Sequence, residues 1–460
     1  MRKPWLFYCS LLFSSVLGVV LAISWGSEWL HVPATATAVK PDSGALAHWL
    51  QHLQEPLPRL LLQIVAVVIA AKLMGRVAQR FGQPPVIGEM LAGIFLGPSL
   101  FGLLLPETQA WLFPPASLGS LKLLSLIGVI VFLFGVGAEL DLARLRQQRA
   151  QALLVSHASI LLPFLLGVLS ALALYRPYAP TGVGFASFAL FMGIAMSITA
   201  FPVLARILRE RGLMGTPLGE TAIACAAIDD VTAWCLLALV IALGQAQGAG
   251  TALPTLVATV LFIAALVGLL RPRLARLRDG EASGRIVALL LFALGCAWVT
   301  EVIGVHALFG AFLAGVAVSG QRQLRELVTE RIEPFAGAIL LPLFFAFTGL
   351  RTQIGLLEGA DWLMCTGVIA VATLGKLGGA TLASRASGQG WRDALALGAL
   401  MNTRGLMELV VLNIGYDLGF LSDRIFAIMV LMALATTMMT GPLLTLLKRG
   451  SAAARLQAPA

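Results

Sequence analysis

The run TAIACAAIDDVTAWCLLALV, residues 221–240, is twenty residues long, and only Asp229 and Asp230 in it carry charge. Wound as a helix at about 1.5 Å per residue it measures about 30 Å, the thickness of a bilayer's hydrocarbon core. A charged side chain at the bilayer centre costs about 2.5–3.5 kcal/mol even on the lenient insertion scale. Two adjacent carboxylates there demand a reason. Neighbouring helix positions point about 100° apart, so the pair cannot share one partner. One carboxylate can face a packed neighbour while the other faces a cavity.

The rest of the chain repeats this pattern. Of its 460 residues 58% are hydrophobic and 12% charged, against roughly 25% charged in a soluble domain. That excludes a soluble enzyme, a coiled coil and a disordered chain, and leaves an all-α polytopic membrane protein. The formal net charge of +9 does not indicate a nucleic-acid partner, because the basic residues are scattered between apolar runs with no basic stripe. Cys9, Cys225, Cys235, Cys296 and Cys365 all lie in apolar runs without a CxxC pair. They read as small buried hydrophobes, not as a disulfide frame or metal site.

A first apolar run near 5–24, behind Arg2 and Lys3, gives 1–24 the layout of a signal peptide or N-terminal anchor, and 25–56 is expected to be extracytoplasmic. The membrane domain is expected over 57–447 as thirteen spans near 57–75, 84–104, 118–138, 150–174, 183–205, 217–243, 252–270, 286–303, 304–319, 334–350, 360–383, 393–414 and 424–447, with a short cytoplasmic tail over 448–460. Alternate loops hold the basic residues: Arg76 and Arg80; Arg144, Arg146 and Arg149; Arg206, Arg209 and Arg211; Arg271, Arg273, Arg276, Arg278 and Arg285; Arg322, Arg325 and Arg331; Arg385 and Arg392; Lys448, Arg449 and Arg455. The opposite loops hold Lys40, Arg176, Arg351 and Arg424. Cytoplasmic loops carry the Lys and Arg, so the first of the thirteen spans starts outside and the last ends inside. Six spans, a linking seventh and six more then form two inverted repeats, a common transporter plan with the site at midplane on interrupted helices.

Two spans look interrupted. In SITAFPVLARIL (197–208) Pro202 removes a backbone donor and frees carbonyls around Ile198 and Thr199, where Ser197 and Thr199 offer hydroxyls. In MNTRGLMEL (401–409) Asn402, Thr403, Arg404 and Gly405 form a polar, flexible patch. The two breaks fall in the fifth span of each half, the expected place for a transport site, where freed carbonyls and half-helix dipoles stabilise ions. A cation must offset one carboxylate of the Asp pair. Lys376 in VATLGKLGGATLA (371–383) is the best placed; its plainer role is to snorkel to the interface. Arg404 competes, although Glu408 lies one turn along its own helix as a partner. Glu89, in the second span, and Glu408 are possible secondary sites, with a structural role the favoured account for Glu89. Glu301 and His306 bracket the contact between the eighth and ninth spans. His157, in the fourth, is expected to be a packing residue more than a pH sensor. The glycines of LAGIFLG (91–97) and FGAFLAGV (309–316) allow close helix contact.

The stretches PPVIGEMLAGIFLGPSLFG (84–102), VIVFLFGVGAELD (129–141), SITAFPVLARIL, AAIDDVTAW (226–234), HALFGAFLAGV (306–316), LPLFFAFTGLRTQIG (341–355) and NTRGLMELVVLNIGYDLG (402–419) follow one another in order. Together they resemble the monovalent cation:proton antiporter-2 family of bacterial Kef-type and plant cation/proton exchangers. The resemblance implies the sodium/proton antiporter fold with a dimerisation domain and a mobile core domain, hence a homodimer, and exchange of protons for Na⁺ or K⁺. Asp230 matches the family's ion- and proton-binding carboxylate, the ligand of the monovalent cation. Asp229 matches the preceding position, where Asp goes with electrogenic exchange, and Lys376 the lysine that pairs with it. Thr199 and Pro202 match the unwound fifth helix, Arg404 the second crossing helix. Kef-type and plant members carry further cytoplasmic parts; none is expected in this chain, so nucleotide regulation is not carried over.

The expected function is therefore electrogenic cation:proton antiport in a bacterial inner membrane, with no cofactor and no enzymatic activity: neither HExxH nor GxSxG occurs. A monovalent cation channel or uniporter is the alternative.

Overall fold

Arg- and Lys-poor runs of spanning length can satisfy their backbone in lipid only as helices, and helices are what the chain forms. The computed structural model describes residues 52, 55–139, 149–245, 249–274 and 281–456. The leader 1–24, nearly all of the 25–56 segment, the loop arginines Arg144, Arg146, Arg276 and Arg278, and the end of the tail lie outside them. The longer helices are α1 (Pro56–Arg80), α2 (Pro85–Leu96), α3 (Pro115–Glu139), α4 (Arg149–Tyr178), α5 (Phe185–Ser197), α6 (Phe201–Glu210), α7 (Pro217–Gln245), α8 (Ala249–Ala265), α9 (Ala282–Ile303), α10 (Ala307–Ser319), α11 (Leu341–Arg351), α12 (Ala360–Ala386), α13 (Trp391–Met401), α14 (Leu406–Asp417) and α15 (Asp423–Leu456).

Among the described residues, eleven helices are long and apolar enough to cross a membrane, and the bent pair α13–α14 makes up to twelve. The ninth predicted span, 304–319, is only the 13-residue α10. Gly304 ends α9 in the left-handed region at φ 90°, and His306 also takes φ 90°. That turn consumes the residues the apolar run would have given to a full span. The tenth span starts earlier than expected, because helix runs from Arg322 onward. Three π-helical turns, Leu266–Leu270, Val328–Ile332 and Ala336–Leu340, each end two residues before a proline: Pro272, Pro334 and Pro342. A proline ring displaces the carbonyl one turn back, and a widened turn absorbs it without ending the helix.

On α1 the exposed side chains Leu61, Val65, Ile69 and Leu73 recur every fourth residue, and the buried Gln63, Val67, Ala71 and Gly75 form the opposite stripe. An apolar outer stripe of this length suits lipid, not water. The helices pack as two bundles. The first gathers α1, α2, α3, α9, α10 and α11; the second gathers α4 to α7 and α12 to α15; α8 touches α7 and α9 and links them. Each bundle thus draws from both sides of α8. In the first, α3 and α10 cross so closely that a Cβ on Gly315 would overlap the Phe134 carbonyl. The second bundle holds the polar groups that matter.

Candidate ion site at the crossing of two broken helices

Pro202 is the second residue of α6, so the preceding turn loses a donor. The chain leaves helix at once: Ile198 adopts φ −78°, ψ 138° and Ala200 φ −92°, ψ 98°, both extended. In the second break α13 stops at Met401 and α14 starts at Leu406, with a 42° bend between them. Gly405 there has φ 151°, a region closed to L side chains, and a Cβ would lie 2.8 Å from Val203 Cγ2. The two breaks meet: the Ala200 N–H donates to the Thr403 carbonyl at 3.1 Å. The ends of four half-helices therefore converge, with free carbonyls at two of them and free N–H groups at the other two.

Three successive carbonyls at the end of α5 receive cations. Arg404 donates from Nη1 to Ala195 O (3.1 Å) and from Nη2 to Met196 O (2.6 Å). Lys376 Nζ donates to Ser197 O, to Ser159 O at 3.0 Å and to Asp229 Oδ2 at 2.9 Å. Lys376 is fully buried, so it does not snorkel to the interface.

The Asp pair divides as the helix geometry requires. Asp229 is saturated: Ser156 donates to Oδ1, and Ser159 (3.1 Å), Thr199 (2.7 Å) and Lys376 all donate to Oδ2. Asp230 is as deeply buried, at 1% exposure, and neither oxygen accepts a hydrogen bond within the geometric limits. The Phe201 backbone N–H, at the start of α6, interacts with it more loosely. Buried carboxylates without side-chain donors are costly; of the two at this junction Glu408 has Arg404 at 3.4 Å, so Asp230 is the one left open for an occupant. One turn along α7, Trp234 packs on Phe309 and Phe312 of α10 with ring centroids 6.3 and 6.2 Å away.

The structure brings together Asp229, Asp230, Ser197, Thr199, Lys376, Arg404, Asn402, Thr403, Gly405 and Pro202. The Ser197 contribution is its carbonyl, since its hydroxyl turns back to Ile194 O at 2.9 Å. Thr199 also lies 3.1 Å from Met401 O, across the crossing. Glu408 is buried 3.4 Å from Arg404. Glu89 stands apart in the first bundle, 3.9 Å from Lys72. His157 is exposed and bonded to its own helix at Leu153 O, 2.8 Å. Glu301 caps α10, accepting from Ala307 N at 2.7 Å.

Two groups of residues escaped sequence reasoning. Ser156 and Ser159 are three apart in an otherwise apolar span, the spacing that puts both on one face. Thr436, Thr437 and Thr440 in α15 line the second break: Thr437 Oγ1 accepts from Arg404 N–H (3.1 Å), Thr403 Oγ1 donates to Thr440 Oγ1 (3.4 Å) and Asn402 Nδ2 to Thr436 O (3.4 Å). Repeated hydroxyls in TTMMT were the available signal.

Known proteins show the same core. The chain is 43% identical to Na(+)/H(+) antiporter NhaS4 of Synechocystis over 84% of its own length and 96% of that protein's. It is 41% identical to Cation/H(+) antiporter 17 of Arabidopsis thaliana, covering 88% of this chain and 50% of the plant protein. K(+)/H(+) antiporter 1 of Saccharomyces cerevisiae is 34% identical over 84% of this chain and 46% of the yeast protein. In structure it resembles the sodium proton antiporter MjNhaP1 from Methanocaldococcus jannaschii at pH 8, with a TM-score of 0.55 at 15% identity over 85% of this chain and 96% of that one. The fold is thus the antiporter fold. With the family model for the transmembrane part of the sodium/hydrogen exchangers matching residues 64–449, the chain belongs to the sodium/hydrogen exchanger family.

Proposed function

We propose that this chain is a secondary antiporter, exchanging Na⁺ or K⁺ for protons by alternating access, with Asp230 carrying either the cation or a proton. The observation that carries the reading is the contrast within the Asp pair: Asp229 is saturated by four side-chain donors, and its neighbour is buried with no side-chain donor. Before a cation enters, the junction holds, among the described residues, three carboxylates, Asp229, Asp230 and Glu408, and two cationic side chains, Lys376 and Arg404. The deficit is one positive charge. A monovalent cation or a proton can fill it, and both cannot do so at once. Competition at one site is the basis of coupled exchange, and a continuous pore of the channel kind is not needed for it. The relatives named as antiporters support the same choice.

Cation entry at Asp230 draws Asp229 away from Lys376, and Lys376 then releases a proton. Two protons per cation make the exchange electrogenic. Access alternates as the second bundle moves against the first, with the Trp234, Phe309 and Phe312 cluster closing one side. The setting we propose is a bacterial inner membrane, with a second copy of the chain as partner.

Cation-driven proton flux in proteoliposomes tests this. Wild type is expected to exchange, and Asp230→Asn to lose the flux; substantial flux from that variant sinks the assignment. Asp229→Asn is expected to keep part of the transport and lose its dependence on membrane voltage. Voltage dependence that survives the change rejects the two-proton stoichiometry.

A further inference from the structure

Glu408 is the third carboxylate of the junction, and the exchange scheme gives it no occupant. It is fully buried in the first turn of α14, and neither oxygen accepts a hydrogen bond. At this position a Glu often caps its own helix start, but α14 has no side-chain cap. What Glu408 does have is Arg404, with Nη1 3.4 Å from Oε1. Arg404 holds Ala195 O and Met196 O, and Lys376 holds the next carbonyl, Ser197 O. Two cations therefore sit side by side on three successive carbonyls. Lys376 has Asp229 as its counter-charge at 2.9 Å. For Arg404 the counter-charge within ion-pair distance, among the described residues, is Glu408.

The other ionisable groups around the two cations are Asp230 and Cys225 on α7. Helix α4 presents the neutral hydroxyls of Ser156 and Ser159. Burying a carboxylate without hydrogen bonds is unfavourable, and what offsets it here is the adjacent Arg404 guanidinium.

We infer that Glu408 is a positioning residue that acts through its charge: by cancelling Arg404 it keeps the junction one charge short of neutrality, the condition under which Asp230 attracts a monovalent cation. This rests on the reading of Asp230 as the cation carrier. With a neutral residue at 408, two carboxylates face Arg404 and the protonated Lys376, and an arriving cation meets a site that is already balanced before Lys376 gives up its proton. The effect reaches the ion as potential, with no contact between Glu408 and the ion.

The test is the cation dependence of exchange by the full chain in proteoliposomes, in Na⁺ and K⁺ series at alkaline pH, where proton competition is weakest. Glu408→Gln is expected to raise KM about tenfold with kcat held within about twofold, the pattern of lost uniform binding. Glu408→Asp keeps the charge and is expected to hold KM within about threefold of wild type. A wild-type KM in Glu408→Gln overturns the inference. So does a fall in kcat at unchanged KM, which is what a purely structural role produces. Should the Gln variant not fold, Glu408→Met removes the same charge without adding a buried amide: a rise in KM of about tenfold at constant kcat supports the inference, and a wild-type KM, with or without lost kcat, overturns it. Flux retained by Asp230→Asn in the same vesicles would overturn the underlying reading instead, so the two failures are distinguishable.

Discussion

Asp229 and Asp230 are adjacent in sequence and opposite in circumstance. Their placement was legible from the sequence because a mid-membrane carboxylate is too costly to be incidental, and the 100° step along a helix separates their surroundings. The partners of Asp229 were only partly legible: Lys376 and Thr199 stand out by charge or by a neighbouring proline, whereas a serine in an apolar span carries no such mark, so Ser156 and Ser159 needed the fold. The Asp229–Lys376 pair makes a stability prediction. Removing one partner of a buried ion pair costs about 3–5 kcal/mol, while replacing both by neutral groups costs much less. Lys376→Met also leaves the Ser159 and Ser197 carbonyls without their donor. It is expected to lower the thermal midpoint in detergent by more than the double variant Asp229→Asn/Lys376→Met does. Equal lowering by the two would mean that the pair's charge is not what the lysine compensates.

At the scale of elements, the two breaks do unequal things with unequal means. Pro202 interrupts by deleting a donor, and was visible as a proline inside an apolar run. The second break has no proline. It depends on Gly405 at φ 151°, and a lone glycine among the 47 of this chain is not distinguishable by sequence from those that serve helix packing. The polar residues around it were the clue, and the threonines of α15 that hold them in place became apparent only in three dimensions. Gly405→Ala is expected to destabilise by about 1–3 kcal/mol from backbone strain, with a further contribution from the contact with Val203. Val203→Ala in the same chain should relieve the contact and leave the strain. The thermal midpoint of the double variant is thus expected between those of wild type and the single. If Gly405→Ala melts and transports like wild type, the crossing does not need its left-handed turn. The span boundaries were misjudged where backbone geometry overrode hydropathy: Gly304 and His306 shortened α10, and the prolines at 272, 334 and 342 were absorbed as widened turns.

At the scale of the whole molecule, hydropathy cannot say which helices share a bundle, because lipid and protein interior are equally apolar. The family resemblance implied two parts, but which helices make up each bundle was not legible for that reason. Where α11 meets α14 the bundles are joined by polar side chains. Arg351 reaches Asp417 (2.6 Å) and Asn413 (3.1 Å), and its guanidinium lies over Tyr416, 4.3 Å from the ring centroid. Lys122 of α3 also reaches Asp417, at 2.9 Å, and Asn413 Nδ2 donates to Thr348 Oγ1 at 2.8 Å. Charged and hydrogen-bonded contacts suit a joint that must part and re-form, since water can replace each partner, as it cannot replace apolar packing. If the second bundle moves against the first during exchange, tying this joint must stop transport. Thr348 Oγ1 and Asn413 Nδ2 are 2.8 Å apart, so cysteines at both positions face each other across the joint, and a disulfide verified to form between them ties it. In proteoliposomes, Thr348→Cys/Asn413→Cys is expected to exchange cations for protons when reduced, to lose exchange when oxidised, and to regain it on renewed reduction. Each single variant should be indifferent to oxidant. Full-rate exchange by the verified disulfide form would show that the bundles keep this contact throughout the cycle, and alternating access would then have to arise within the second bundle alone.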